Sequence, residues 1–437
     1  MNEPIFIARQ DTLEQEILPA HWLAQYKLFG EESYTFQNKE IWKKLCMSSA
    51  AANDRDIHAE ALEEMLTTFS AEHTGKWMLT VYGMDAAALE GLATMAAIAA
   101  NGTAMGAIAD NALLMHAIAN SETAMQRIAN SQTAMQRVAN NRGAMDAIGR
   151  SRIARDAVQA SPYYNSCIKE NDMAIAKLAV ALANLESAGY SGMAGVAADS
   201  TAMTAVAASA TAMTAVAASS VARNAISASP YYDEKIKEND MAIAKLVVGF
   251  ANLESARYSG CAGVAADSTA MTAVAASSTA MTAVAASSTA MTAVAASGVA
   301  LKAIAQAYKK TADMLQFLKA VNASDTLVKR IYSTLTGATG LFGATQLGGQ
   351  DSVDSANSWA TTSAAPNAFL ACACGYYSSG GSSVNVTYNG TVIAENKTGT
   401  KQPGSVTSTN VNAITMAPST FTENGDGWLA VQKFTAK

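Results

Sequence analysis

The sequence predicts a mainly α-helical protein with a β tail, and three observations lead to this fold class. A ten-residue repeat rich in Ala, Ser, Thr and Met fills the middle of the chain and predicts an α-helical solenoid of short helices. The N-terminal part lacks this repeat, contains more Trp and acidic residues, and predicts a mostly helical head. The C-terminal part has alternating apolar runs separated by turn residues, which predict a small antiparallel β-sandwich.

These differences in composition divide the chain into four segments. Their bounds are 1–91 for the helical head, which we interpret as an attachment module, 92–322 for the repeat array with helical inserts at 161–190 and 229–258, 323–365 for a helix and a Gly/Ser-rich linker, and 366–437 for the β domain. A chain of 437 residues is long enough for several domains.

The decapeptide is clearest at residues 268–277, which read Ser-Thr-Ala-Met-Thr-Ala-Val-Ala-Ala-Ser. Ala and Met favour helices, and Ser is a good N-cap. With Ser278 as the cap, Met281, Val284 and Ala280 fall on one face of the helix, and Thr282 falls on the other. Helices this short are unstable alone, so we expect them to bury Met and Val against neighbouring helices.

Two other arrangements of the repeat fit less well. In one continuous helix the apolar stripe would drift by about 80° per repeat, and Ala and Met are poor strand formers for a β-solenoid. We expect each helix to pair with an antiparallel neighbour, so that two decapeptides make one structural step. Met at helical spacing predicts core packing rather than a metal or thioether site.

A longer unit interrupts the decapeptides twice. It opens with Ser161-Pro-Tyr-Tyr164, and an almost identical unit opens 68 residues later with Ser229-Pro-Tyr-Tyr232. The segments 173–185 and 241–253 within these units predict longer helices. We interpret the paired tyrosines as packing at a corner rather than as a binding patch.

In the head, we expect helices near residues 12–18, 38–49 and 54–69 and a short strand at 75–82. Asp85 is predicted to cap the first helix of the array. The histidines of this segment, which are His21, His58 and His73, match no metal-binding spacing.

After the array, the sequence predicts a capping helix at about 299–320 and a second helix at 324–335 with Ser324 as its N-cap. Residues 336–365 are rich in Gly, Ser and Thr and predict a linker. Asn389-Gly390 between two alternating runs predicts a β-hairpin with a type I′ turn.

Charge and short motifs argue against several functions. The net charge of -6 leaves no basic surface for nucleic acid. The N-terminus lacks the features of a secretory signal, and no apolar run is long enough to predict a membrane span. Cys261 occupies a repeat Met position, while Cys372 and Cys374 have neither zinc nor disulfide spacing. The few acids of the β domain, Glu395, Glu423 and Asp426, are interpreted as solvated.

The overall layout resembles virion proteins of tailed bacteriophages, particularly tail fibres and tail appendages. The resemblance covers residues 92–437 and rests on the Ala-rich decapeptides, the tandem Pro-Tyr-Tyr units and the Gly/Ser-rich β domain with Asn389-Gly390. It implies an N-terminal module that docks on the particle, a repetitive shaft and a distal end that meets the host cell. Helix-prone repeats depart from the triple-β-helix shaft of many fibres.

We therefore predict a non-enzymatic structural protein of a phage tail, made in the host cytoplasm and located in the virion. The predicted partners are other tail proteins at the head, a host-surface glycan or protein at the C-terminal domain, and further copies of the chain. No catalytic, cofactor-binding or metal-binding residue is predicted. Two alternatives stay open: a bacterial surface or secreted adhesin with a solenoid stalk, and a carbohydrate-binding or carbohydrate-active tip protein.

Overall fold

A computed structural model of the chain is mainly helical, with a region of two small, mostly antiparallel sheets at its C-terminal end. It describes residues 55–67, 74–82, 84–307, 314–353, 357–361, 368–376, 382–401, 405–416, 419–424 and 427–437. The predicted helices at 12–18 and 38–49, together with His21, His73 and Asp426, lie outside the described residues. The chain divides into two compact units, Met1–Val206 with Ser219–Ile226, and Ala207–Ala218 with Ser227–Lys437.

The described helices follow one another with short connections along most of the chain. They are α1 (Arg55–Thr67), α2 (Thr74–Tyr82), α3 (Ala86–Leu89), α4 (Met95–Ala100), α5 (Gly102–Asp110), α6 (Ala112–Ala119), α7 (Glu122–Ala129), α8 (Gln132–Ala139), α9 (Arg142–Arg150), α10 (Arg152–Ala160), α11 (Tyr164–Cys167), α12 (Asp172–Leu182), α13 (Met193–Ala197), α14 (Ser200–Ala208), α15 (Ala210–Ala218), α16 (Ser220–Ser227), α17 (Tyr232–Lys235), α18 (Asp240–Phe250), α19 (Cys261–Ala266), α20 (Ser268–Ala276), α21 (Ser278–Ala286), α22 (Ser288–Ala295), α23 (Gly298–Ala307), α24 (Met314–Asn322) and α25 (Asp325–Gly337).

The predicted short helices are confirmed, but α21 begins one residue earlier than expected. Ser277, and not Ser278, is the N-cap of α21, and its hydroxyl oxygen accepts a hydrogen bond from Ala280 N at 3.3 Å. Met281 is fully buried and Thr282 is exposed, as the helical wheel predicts. Ala283, which the same helical wheel puts on the outer face, is buried with 7% exposure.

One extended residue separates many of these helices, and it sets the angle between them. Ser277 has φ -103° and ψ 117°, and it ends α20 as well as starting α21. The two helices meet at 101°, and α22 and α23 meet at 98°. Successive helices therefore turn sharply away from each other, and helices that are three apart in sequence pack together.

This three-helix spacing recurs within each unit. In the first unit the packed pairs are α4 with α7, α5 with α8, α6 with α9, α7 with α10, α8 with α11 and α9 with α12. In the second unit they are α15 with α18, α18 with α21, α21 with α24, α19 with α22, α20 with α23 and α22 with α25. We expected each helix to pair with an antiparallel neighbour, so that two decapeptides make one structural step. This expectation is wrong, because one structural step contains three helices.

Several junction serines also connect the helix that they follow to the one that lies three helices earlier. The hydroxyl of Ser151 donates to the carbonyl of Ala119 at 2.6 Å, and that of Ser131 donates to Ala99 at the same distance. In the second unit the hydroxyl of Ser297 donates to Ala265 O at 2.5 Å. Each of these carbonyls belongs to the last turn of a helix, where carbonyl groups lack an intrahelical partner.

The described part of the predicted head is helical and packs on the array within the first unit. Residues 75–82, predicted as a strand, lie within helix α2, so helical packing overrides the β propensity of the aromatic and β-branched residues. Asp85 caps α3 as predicted and accepts from Ala87 N at 3.0 Å. Helix α1 packs on α6 and α7, where the carboxylate of Glu63 accepts from the Thr123 hydroxyl at 2.6 Å.

Two helices stand where one capping helix was predicted after the array. These are α23 and α24, and residues 308–313 between them lie outside the described residues. The following helix, α25, is confirmed with Ser324 as its N-cap. Residues 336–365 are not only a linker as predicted, because two strands lie within them.

The strands are β1 (Phe342–Val353), β2 (Asn357–Thr361), β3 (Ala368–Tyr376), β4 (Ser383–Tyr388), β5 (Thr391–Thr398), β6 (Thr400–Lys401), β7 (Ala413–Met416), β8 (Ser419–Asn424) and β9 (Gly427–Ala436). One sheet has the order β1-β9-β3-β6, with β7 also paired to β3, and the other has the order β2-β8-β4-β5. Strand β1 belongs to a sheet because it pairs with β9, the last strand of the chain. That distant partner cannot be seen in the local composition.

The predicted hairpin joins β4 and β5. Asn389 and Gly390 have φ values of 48° and 76°, which are the two positive values that a type I′ turn needs. In the other sheet, every residue of β3 from Ala368 to Cys374 is fully buried. A strand that is apolar and buried at every position is typical of a sheet covered on both faces.

Candidate functional site in the tandem Pro-Tyr-Tyr units

The polar side chains with the most elaborate contacts lie in the two Pro-Tyr-Tyr units, and they occur in pairs separated by 68 residues. The pairs are Tyr164 and Tyr232, Glu170 and Glu238, Asp172 and Asp240, Lys177 and Lys245, Ser187 and Ser255, Tyr190 and Tyr258, Met193 and Cys261, and Asp199 and Asp267. The first member of each pair lies in the first compact unit, and the second member lies in the second compact unit. The two sets of contacts agree closely, with two exceptions.

The tyrosines after the prolines pack rather than bind. Tyr164 is partly buried against the core of the first unit, and Tyr232 is partly buried against the core of the second. Burial raises the pKa of each phenol to about 12, and a neighbouring carboxylate adds to the effect. This agrees with the interpretation of the tyrosine pairs as corner packing.

A glutamate in each unit binds the first turn of a helix that lies 50 residues further along the chain. The carboxylate of Glu170 accepts from the hydroxyl of Ser220 at 2.7 Å and from its backbone N at 3.1 Å. Glu238 accepts from Ser288 in the same way, at 2.6 Å and 3.0 Å. Desolvation raises the pKa of each carboxyl, but the hydrogen bonds together outweigh it and leave the pKa below its usual value.

An aspartate in each unit fixes the start of the next short helix. Asp172 accepts from Met193 N, and Asp240 accepts from Cys261 N, both at 2.8 Å. The residue before each donor is glycine, and a Cβ on Gly192 would lie 2.1 Å from a carboxylate oxygen of Asp172. The close approach of this carboxylate therefore requires glycine.

The first exception is the environment of the buried lysines. Lys177 is fully buried, and its ammonium forms an ion pair with Asp146 and donates to Ser187 O at 3.0 Å. Lys245 is 1% exposed and donates to Ser255 O and Ala256 O at 3.0 and 3.3 Å. Thr214 stands 68 residues after Asp146, so the second compact unit has no carboxylate at the position equivalent to Asp146.

The second exception is a small apolar cavity beside Cys261. The cavity measures about 20 Å³ and is lined by side chains that include Val264, Met271, Val284 and Val294. Cys261 is buried and stands where Met193 fills the core of the first unit. A cysteine is shorter than a methionine, and the cavity lies at the end of the shorter side chain.

A separate polar cluster joins the helices of the second compact unit to its sheets. The buried amide of Asn322 donates to Ile414 O at 2.7 Å and accepts from Ile414 N at 3.0 Å, so that it pairs with β7 like a neighbouring strand. The hydroxyl of Tyr332 bonds to Val406 O and to Gln432 Oε1, and its ring meets Phe434 edge-on at 5.7 Å. The sheets are therefore fixed directly to α24 and α25.

The residues considered as sites from the sequence lie on different elements of the structure. His58 is buried and contacts the hydroxyl of Tyr82 at 3.2 Å, Glu395 is exposed on β5, and Glu423 lies on β8. Cys372 and Cys374 are buried, and the thiol of Cys374 lies 3.5 Å from Lys397 O. Among the described residues, no group of three His, Cys, Asp or Glu could hold a metal ion.

A membrane-spanning helix was not expected from the sequence. In the described part of the chain, no single helix is long and apolar enough to cross a membrane. Three pairs of successive helices reach the required length and composition only when taken together, and each pair is bent by about 100°.

The sequence does not predict the buried lysine cluster, because a lysine in an apolar helix carries no motif. Its signal was the 68-residue repeat, which aligns Asp146 with Thr214 and so reveals a charge present in one unit only. No protein-family model matches this chain, and a search among curated proteins finds no similar sequence.

Proposed function

We propose that this chain is a non-enzymatic structural protein of a bacteriophage tail, in which the decapeptide helices form an α-helical solenoid and the two C-terminal sheets form a β-sandwich tip. The tip contacts the host surface, and the N-terminal segment attaches to other tail proteins. The proposal rests on the resemblance in layout to tail fibres and appendages.

The observation that carries the proposal is the stacking of interchangeable repeats. Within each unit a helix packs on the helix three positions away, and the repeat Met and the Ile or Val three residues after it are buried each time. Such a design spans distance without depending on any one repeat. The direct bonds from Asn322 and Tyr332 to the sheets support a tip that is held rigidly by the last helices.

The hairpin at Asn389-Gly390 supports the tip as the part that contacts the host. Val392, which follows the turn, is 49% exposed, and it is one of two large apolar residues exposed among the described residues; the other is Ile153, at 37%. Isolated exposed apolar residues are common on protein surfaces. Host-cell binding by variants of Val392 and of Ile153 is therefore compared, to test whether Val392 has a specific role.

Mass spectrometry of purified virions tests the location, and binding of the full chain to host cells tests the tip. We expect the protein in virions, weaker cell binding for Val392→Asp, and unchanged binding for Ile153→Asp. Presence on uninfected cells and absence from virions would favour the adhesin. Breakdown of host polysaccharide by the purified chain would favour the carbohydrate-active alternative.

A further inference from the structure

The first Pro-Tyr-Tyr unit shows how this fold accommodates a buried ammonium group. The carboxylate of Asp146 lies between two donors: it forms the ion pair with Lys177, and it accepts from the hydroxyl of Ser187 at 3.0 Å. Lys177 is fully buried and Ser187 is 2% exposed. One negative group thus satisfies both a buried charge and a buried hydroxyl.

The second unit has the same two donors without the carboxylate. Lys245 and Ser255 are 1% and 3% exposed, and the described residues include no acidic partner for the ammonium. The Ser255 hydroxyl is buried and has no hydrogen-bond partner among the described residues. Thr214, in place of Asp146, turns its own hydroxyl to Ala210 O at 2.7 Å.

Both groups are costly to bury in this state. A buried hydroxyl without a partner costs about 1–3 kcal/mol, and a buried cation needs a counter-charge. Burial alone lowers the pKa of Lys245, since no carboxylate offsets it. An acceptor with a negative charge at the position of the Asp146 carboxylate would satisfy both groups.

We propose that the second unit binds a small inorganic anion, chloride, between the ammonium of Lys245 and the hydroxyl of Ser255. The anion takes the place that the Asp146 carboxylate has in the first unit. Thr214, which stands at the position equivalent to Asp146, is half-buried, and we expect the anion to enter past it. The site is independent of the proposed role in a phage tail.

The test compares thermal melting of the full chain in sodium chloride and in sodium sulfate at equal ionic strength. The control variant is Thr214→Asp, which supplies the missing carboxylate in the protein itself. General salt effects act on both proteins alike, so the difference between them reports the site. At chloride concentrations well above the dissociation constant, we expect the wild-type melting temperature to rise by about 3 °C more than that of T214D.

Two further variants make the result independent of any one substitution. Asp146→Thr removes the carboxylate from the first unit and should create a second chloride-dependent step in stability. Lys245→Met removes the buried charge and should abolish the chloride response of the second unit. Bromide soaked into crystals of the wild type should give an anomalous peak between Lys245 and Ser255. Equal chloride responses of wild type, T214D and K245M, or no bromide peak, would overturn the proposal.

Discussion

Methionine at every tenth position fills the core of both units. The twelve repeat methionines from Met95 to Met291 are between 0% and 2% exposed. An unbranched thioether adapts to small differences between neighbouring repeats, so the same residue can serve at each step. Alanine at the positions around it lets the helices approach closely.

The first prediction concerns the buried and exposed faces of one repeat. Met281→Asp places a charge among apolar side chains and should lower the free energy of unfolding by about 3 kcal/mol or more. Thr282→Asp, on the exposed face of the same helix, is the control and should change it by less than about 0.5 kcal/mol. Urea denaturation of both variants measures the difference. Equal losses would contradict the assignment of faces.

Filling the cavity beside Cys261 gives a second prediction. Cys261→Met restores the residue that occupies the equivalent place in the first unit and should stabilise the protein by about 0.5–2 kcal/mol. Calorimetry of the variant checks this, with Cys167→Met, which lies away from the cavity lining, as the control for added volume. A lower melting temperature for C261M would mean that the core has closed around the cysteine.

The pKa of Lys245 predicts a dependence of stability on pH. Because burial lowers this pKa in the folded protein, the unfolded chain binds more protons between the lowered value and the ordinary value of 10.5. Stability in chloride-free buffer should therefore rise with pH across that window. Thr214→Asp should flatten the rise, since it gives the ammonium a counter-charge. A parallel pH profile for the two proteins would argue against a depressed pKa.

At the scale of an element, one connecting residue performs three tasks. Ser297 ends α22 through its backbone N–H, caps α23 by accepting from Ala300 N at 3.1 Å, and donates its hydroxyl to Ala265 O. The requirement for a small side chain with a hydroxyl or amide explains why Ser and Asn recur at this position.

Loss of that hydroxyl is the fourth prediction. Ser297→Ala removes the cap and leaves the Ala265 carbonyl without its donor, and it should cost about 1–3 kcal/mol. Ser268→Ala changes an exposed serine at the first position of α20 and should be nearly neutral. Hydrogen exchange of the α23 amides should also increase in the first variant alone. Similar melting of S297A and S268A would exclude the bond to Ala265 as a source of stability.

Local signals predict the elements better than their arrangement. The repeat helices, the caps Asp85 and Ser324 and the hairpin at Asn389-Gly390 are confirmed, because each depends on neighbouring residues. The three-helix step depends on the backbone angles of a single residue, for which Ser or Asn carries no distinct signal. Strand β1 pairs with β9 across most of the C-terminal region, so its Gly-rich sequence alone predicts a linker.

At the scale of the molecule, each described unit has its own core. In the second unit the buried cluster continues from the helices into both sheets, and the strands begin at Phe342. A fragment starting at residue 366 would lose β1 and β2 and the bonds from Asn322 and Tyr332. The β domain is therefore a continuation of the helical array.

The fifth prediction concerns the number of repeats. Deleting residues 268–297 removes three decapeptides, so α23 should take the place of α20 and the protein should fold with its sheets about 10 Å nearer to α18. Deleting only 278–287, or only 268–287, leaves the following helices out of phase by one or two bends. Both shorter deletions should melt lower or aggregate, although they remove fewer residues. Normal melting of either would contradict the three-helix step.

The three-helix step also bears on how the gene can change in length. The 68-residue duplication carries six helices, α11–α16 in one copy and α17–α22 in the other, and six is a multiple of three. A copy of this size can be inserted without altering the direction of any helix that follows it. Slippage of replication by one decapeptide, or 30 base pairs, would instead redirect everything downstream. Alleles of different length should therefore differ by multiples of three helices, and selection should remove the others at the level of folding.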